Sequence, residues 1–194
     1  MTPLSCDSLM TLERYAKERP QFRARVMEHK KNRTVLLGEH IMLIFEDELT
    51  IRYQIQEMLR AERIFEEEGI QEEVDAYAPL IPDGSNWKAT MMIQYPDIDE
   101  RRHMLAQLIG IEDRVWVQVA GHNRVYAVAD EDLERETAEK TSSVHFLRFE
   151  LDSGMVKALK QGAGLEMGID HPACSVSADI APAVRDSLVG DLKG

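Results

Sequence analysis

A glutamate and two histidines occupy positions in this sequence where apolar residues belong. On a helical wheel at 100° per residue, "TIRYQIQEMLRAERIFEEEGI" (50–70) gathers Ile51, Ile55, Met58 and Phe65 on one face, with Leu59 at its edge. Glu62 falls about 20° from Ile51, in the middle of that face. In "EHIMLIFED", His40 lies beside Met42 and Ile44; in "VHFLRFEL", His145 shares a strand face with Leu147 and Phe149. Two neutral imidazoles and a carboxylate are the ligand set of a mononuclear metal site, so Glu62, His40 and His145 are candidate ligands. The competing chemistry is structural. A buried carboxylate must protonate or find a cation, and Arg148, on the other face of the same strand, is the first candidate partner for Glu62, ahead of His145.

Other groupings are weaker. "PDGSNWK" places Gly84, Ser85, Asn86 and Lys88 in a loop whose backbone N–H groups could cradle an anion. "ERRH" has the Glu-x-x-His spacing of di-iron bundles, but Glu100 and His103 fall opposite the apolar face of Ile98, Leu105, Leu108 and Ile109 and read as solvated. "DHPAC" sets Asp170, His171 and Cys174 close together; a thiol beside an imidazole is a nucleophile in principle, and a strand-ending loop is the plainer reading. His122 reads as a turn residue. There is no GxGxxG, GxxxxGK[ST], HExxH or GxSxG.

These residues need elements to position them. The spacing predicts two short helices, or one kinked at Pro20, over 9–32. A strand-like stretch with a turn or bulge at Gly38 follows, then a long helix over about 48–68 ended by Gly69. Past a Pro-rich loop come a strand near 87–95 and an Asp-capped helix ending at Gly110. "RVWVQVAGHNRVYAVAD" is a hairpin, "EDLERETAEK" a short charged helix, and "SSVHFLRFEL" a strand apolar on both faces and so covered on both. A helix from Ser153, a strand at "AGLEMGID" and a closing helix complete the chain. Interspersed strands and helices without a βαβ rhythm mean α+β: a mixed or antiparallel central sheet with flanking helices. We expect one domain over 1–194, a helical segment at 1–32 leading into an α+β core at 33–194.

The chain has 194 residues, 44% of them hydrophobic and 30% charged, within the globular range. Its longest apolar run is five residues, "IMLIF", so no membrane span is expected. No basic-then-apolar leader is visible and the two cysteines, Cys6 and Cys174, form no CxxC; cytoplasmic residence and no cysteine-held metal cluster follow as expectations. The net charge of −12 argues against nucleic-acid binding. Between Arg14 and Arg33, however, eight basic residues face two acidic ones. That stretch is either a solvated helix face or a docking patch for an acidic partner or a second copy of the chain.

The strings "HKKNRTVLLGEHIMLIFEDELTIRYQIQEMLRAERIFEEEGI", "LIPDGSNWKATMMIQYPD", "DEDLERETAEKTSSVHFLRFEL" and "GLEMGIDHPA" resemble a bacterial family of about this length, catalogued as a domain of unknown function. The likeness runs from about residue 11 to 192. Members of that family are typically encoded beside a rubrerythrin and an iron–sulfur oxidoreductase related to heterodisulfide reductase, which implies a role near peroxide defence or electron transfer. No catalytic residues come with the resemblance. It implies first a non-catalytic accessory protein that binds such an oxidoreductase and holds no cofactor itself. The alternative is a small metal-binding protein or enzyme using Glu62 with His40 or His145.

Overall fold

The computed structural model describes residues 4–193, so residues 1–3 and 194 of the expected domain lie outside it. The elements in chain order are α1 (Leu12–Lys31), β1 (Thr34–Leu37), β2 (Ile41–Phe45), α2 (Glu48–Glu62), α3 (Glu67–Tyr77), β3 (Asn86–Ile93) and α4 (Ile98–Gln107). There follow β4 (Val115–Val119), β5 (Val125–Tyr126), β6 (Val128–Ala129), β7 (Val144–Glu150), α5 (Ser153–Lys160), β8 (Leu165–His171), β9 (Cys174–Asp179) and α6 (Pro182–Val189). The class is α+β. In place of one central sheet there are two antiparallel ones, ordered β1-β2-β3-β7-β6 and β5-β4-β8-β9. No helix among the described residues is long and apolar enough to cross a membrane.

Strand periodicity builds the core. On β7, His145, Leu147 and Phe149 are buried on one face, while Val144, Phe146 and Arg148 are half-buried on the other. Phe149, Phe45 and Trp87 from the first sheet form one continuous cluster with Val117, Met167 and Ile169 from the second. The β3 strand, between β2 and β7, is buried on nearly every residue, as a strand covered on both faces must be. The predicted hairpin is split: β4–β5 belongs to the second sheet, and the chain crosses to the first at β6.

A helical layer sits apart from this core. Along α2, Ile51, Ile55 and Leu59 pack with Val74 of α3, while Leu49 and Tyr53 pack with Val26 of α1. Pro20 lies inside a single α1. Three elements differ from the prediction. The long helix stops at Glu62 because Arg63 turns left-handed (φ 57°) and the N–H groups of Arg63 and Ile64 close on the Leu59 carbonyl. Ile64 folds back onto the α2–α3 cluster, α3 begins at Glu67, and Gly69 lies within α3 instead of ending α2. Residues 131–140 form no helix; Arg135 and the Asp132 carboxylate organise them as a loop. An unpredicted strand, β9, alternates Cys174, Val176 and Ala178 with Ser175, Ser177 and Asp179 and pairs with β8.

The C-terminal segment closes over the start of the chain through Arg33, whose side chain is 1% exposed. Its guanidinium donates to the carbonyls of Phe45 (2.9 Å) and Glu46 (3.0 Å) and to Asp191 Oδ2 (2.5 Å), with Asp47 at 3.5 Å. Burial pushes the Asp191 carboxyl up against the pull of Arg33. Asp47 is also penalised by burial, yet Arg33, the Thr50 N–H and His29 together bring it below its ordinary value.

Candidate functional site

Four elements bring a polar cluster into the core beside the first sheet. His145, fully buried, points inward from β7. Asp130 follows β6 in a left-handed conformation (φ 48°), which aspartate tolerates better than most residues. Two bonds hold it there: its N–H donates to the Phe146 carbonyl (2.8 Å), and the Phe146 N–H donates to its Oδ1 (2.9 Å). Glu112 comes from the single turn before β4 and is 5% exposed. Thr141, 1% exposed, is fixed by its N–H on the Leu105 carbonyl.

Asp130 Oδ2 lies 2.6 Å from His145 Nδ1, and Arg135 donates to Asp130 Oδ1 at 3.1 Å. A carboxylate on Nδ1 places the ring proton there and leaves a lone pair on Nε2. Around Nε2 stand Thr141 Oγ1 (2.9 Å), the Ser142 carbonyl (3.1 Å) and Glu112 Oε2 (3.8 Å). Thr141 Oγ1 is also 3.3 Å from Glu112 Oε2, and its single proton serves only one of these neighbours. Burial pushes the Glu112 carboxyl above its ordinary range, against the pull of His145. The ring of acceptors is one positive charge short. A proton or a metal ion on Nε2 satisfies it.

A metal ion fits on one side only. Ligand atoms of Glu112, Asp130 and His145 lie within 4.8 Å of one another, the one such group among the described residues. One imidazole nitrogen binds one ion, and Asp130 occupies the other nitrogen. Asp130 is therefore placed to orient the histidine, and an ion bound there would be held by His145 Nε2, Glu112 Oε2, Thr141 Oγ1 and the Ser142 carbonyl. An ion with bonds of about 2.1 Å spaces its ligands about 3.0–3.4 Å apart. Three of the four measured separations fall close to that range.

The expected partners of His145 are elsewhere. Glu62 is exposed, because the helix ends with it and its side chain passes beyond the last packed turn. It acts instead on Glu73, whose carboxyl is raised by burial and then by repulsion from Glu62 and Glu72. Arg148 is half-buried and pairs with Glu131 (2.8 Å) and Glu150 (2.6 Å), not with Glu62. His40 stacks on Tyr95 (ring centroids 4.0 Å apart), with Nδ1 on the Gln94 carbonyl.

The anion loop is filled by the chain's own carboxylates. The Ser85 N–H and hydroxyl reach Asp83, the hydroxyl also meets Glu150, and the Asn86 amide donates to Glu150. Lys88 leaves the loop for the Pro79 carbonyl. Asp170 is held by Arg124 (2.6 Å) and Tyr126 (2.8 Å), and His171 by the Ile109 carbonyl. Burial pushes the Cys174 thiol up, the reverse of an activated nucleophile.

A family model described as "Protein of unknown function (DUF3501)" matches residues 3–192. The chain belongs to the DUF3501 family. A crystal structure described as a novel protein of unknown function from Burkholderia pseudomallei K96243 is 60% identical to this DUF3501 chain, covers 100% of both chains and superposes with a TM-score of 0.94. No curated protein matches the chain. Of this cluster the sequence marks His145, a polar residue on an apolar strand face, and the structure buries it. Glu112 and Asp130 carried no such signal, since each arrives from a turn or loop.

Proposed function

We propose that this protein binds one divalent first-row metal ion at His145, Glu112 and Thr141, with Asp130 orienting the imidazole. The observation that carries the reading is the excess of acceptors around His145 Nε2, which a cation relieves. One imidazole among oxygen donors suits Mn²⁺, Fe²⁺ or Zn²⁺. Protein produced without a histidine tag, analysed by inductively coupled plasma mass spectrometry, is expected to carry close to one such ion per chain. Glu112→Gln and His145→Gln abolish it, and Asp130→Asn weakens it by about 10–100-fold. A wild-type protein that stays metal-free when incubated with each ion overturns the reading.

A second reading, an accessory partner of an iron–sulfur oxidoreductase or rubrerythrin in peroxide defence or electron transfer, rests on the resemblance noted above. The feature that bears on it is the basic stretch of α1. The docking patch contracts in this reading. Arg19 is held by Glu57, Arg14 by Glu18 and Lys31 by Glu28, and Arg33 is internal. Lys30 is half-buried over the Tyr53 ring, and Lys17, Arg23 and Arg25 are the exposed remainder. Reversing these three charges is expected to abolish a salt-sensitive association with such an oxidoreductase. An association indifferent to both salt and reversal removes α1 from the interface.

A further inference from the structure

A cavity of about 610 Å³ lies between the α3 layer and the outer face of β3 and β7, on the side of the sheet away from His145. Its size is that of a small-molecule pocket. Phe146 lines it from the sheet, and Met58, Tyr77 and Leu80 from the helical layer. Three cations also line it, and they are not equivalent. Arg148 is neutralised by Glu131 and Glu150; Arg135 is neutralised by Asp130 and Asp132 and lies over the Phe146 ring, 4.6 Å from its centroid.

Lys88 is the cation left over. It stands directly across the β3–β7 ladder from Arg148, a like-charge pair that strands ordinarily avoid. Its ammonium bonds only the Pro79 carbonyl and makes no ion-pair contact among the described residues; Asp83 and Glu131 feel its field at longer range. The remaining carboxyl in the wall is Glu73, raised by burial and by repulsion from Glu62 and Glu72.

We propose that this cavity binds a small organic anion, an apolar body bearing one carboxylate, with the head group on Lys88 and the body against Phe146, Tyr77 and Leu80. The proposal does not rest on the metal reading: Lys88 touches none of Glu112, Asp130, Thr141 or His145, although Arg135 both lines the cavity and bonds Asp130. It also gives Lys88 the anion-binding role that its own loop does not support.

The probes are decanoate and decanol, titrated calorimetrically into the full chain. Decanoate is expected to bind once per chain, at least about tenfold more tightly than decanol, the increment of one charge-assisted contact of about 1.4 kcal/mol. Lys88→Met removes that preference and leaves decanol binding as it was; Leu80→Trp fills the cavity and removes both. Equal affinities of the wild type for decanoate and decanol, or no saturable binding of either, overturn the proposal, and this comparison needs no variant to fold. Metal content is unchanged by Lys88→Met, so failure of one reading is distinguishable from failure of the other.

Discussion

Replacing Arg33 by alanine lowers the unfolding free energy by about 3–5 kcal/mol, the cost of breaking a buried pair from one side. Arg33 is among the largest fully buried side chains and spends its donors on two carbonyls and on Asp191. Its removal leaves the Phe45 and Glu46 carbonyls short of a donor. It also leaves Asp191 and Asp47 as neighbouring anions, and Asp191 is already raised by burial. Urea denaturation of the single variant and of Arg33→Ala with Asp191→Ala measures this. The double variant is expected to recover part of the loss, because it removes the stranded charge. A single-variant loss below about 1 kcal/mol, within the range of exposed ion pairs, contradicts the assignment.

Gly168→Ala is expected to cost about 3 kcal/mol, the upper end for forcing a methyl group into a packed site. Gly168 sits in the middle of β8, directly opposite Trp116 of β4. A Cβ there falls 2.4 Å from Trp116 Cζ2 and 2.6 Å from the Val176 carbonyl oxygen. The indole is 1% exposed and is capped by the Arg124 guanidinium 3.8 Å from its centroid, so it has nowhere to swing. The carbonyl belongs to β9 and moves only with that strand. Thermal unfolding reads the loss, and the near-ultraviolet dichroism of Trp116 reads the displacement. An unchanged midpoint shows that the strand shifts freely, against this packing.

The two substitutions also mark what the sequence could disclose. The strand patterns over 41–45, 144–150 and 165–171 and the helices from Ser153 and Pro182 were legible because one periodicity governs each. The error over Glu62 came from carrying a sound wheel past Arg63, since nothing in an arginine announces a left-handed turn. Arg33 counts among eight basic residues of a stretch that reads as a solvated face or a docking patch; its burial depends on two carbonyls and an aspartate far along the chain. At the candidate site, His145 was readable as a polar group on a covered strand. Asp130 and Glu112 were not, because their approach is set by strand pairing across two sheets and not by spacing.

Arg33 and Asp191 are 158 residues apart, and their contact has a consequence in time as well as in stability. Closing so long a loop is entropically unfavourable until the sheets between its ends have formed. The Trp87 indole bond to the Leu188 carbonyl and the Lys193 N–H bond to the Gly84 carbonyl share that delay. Contacts absent from the rate-limiting step act on the reverse reaction, so this clasp contributes little to how fast the chain folds and governs how long it stays folded.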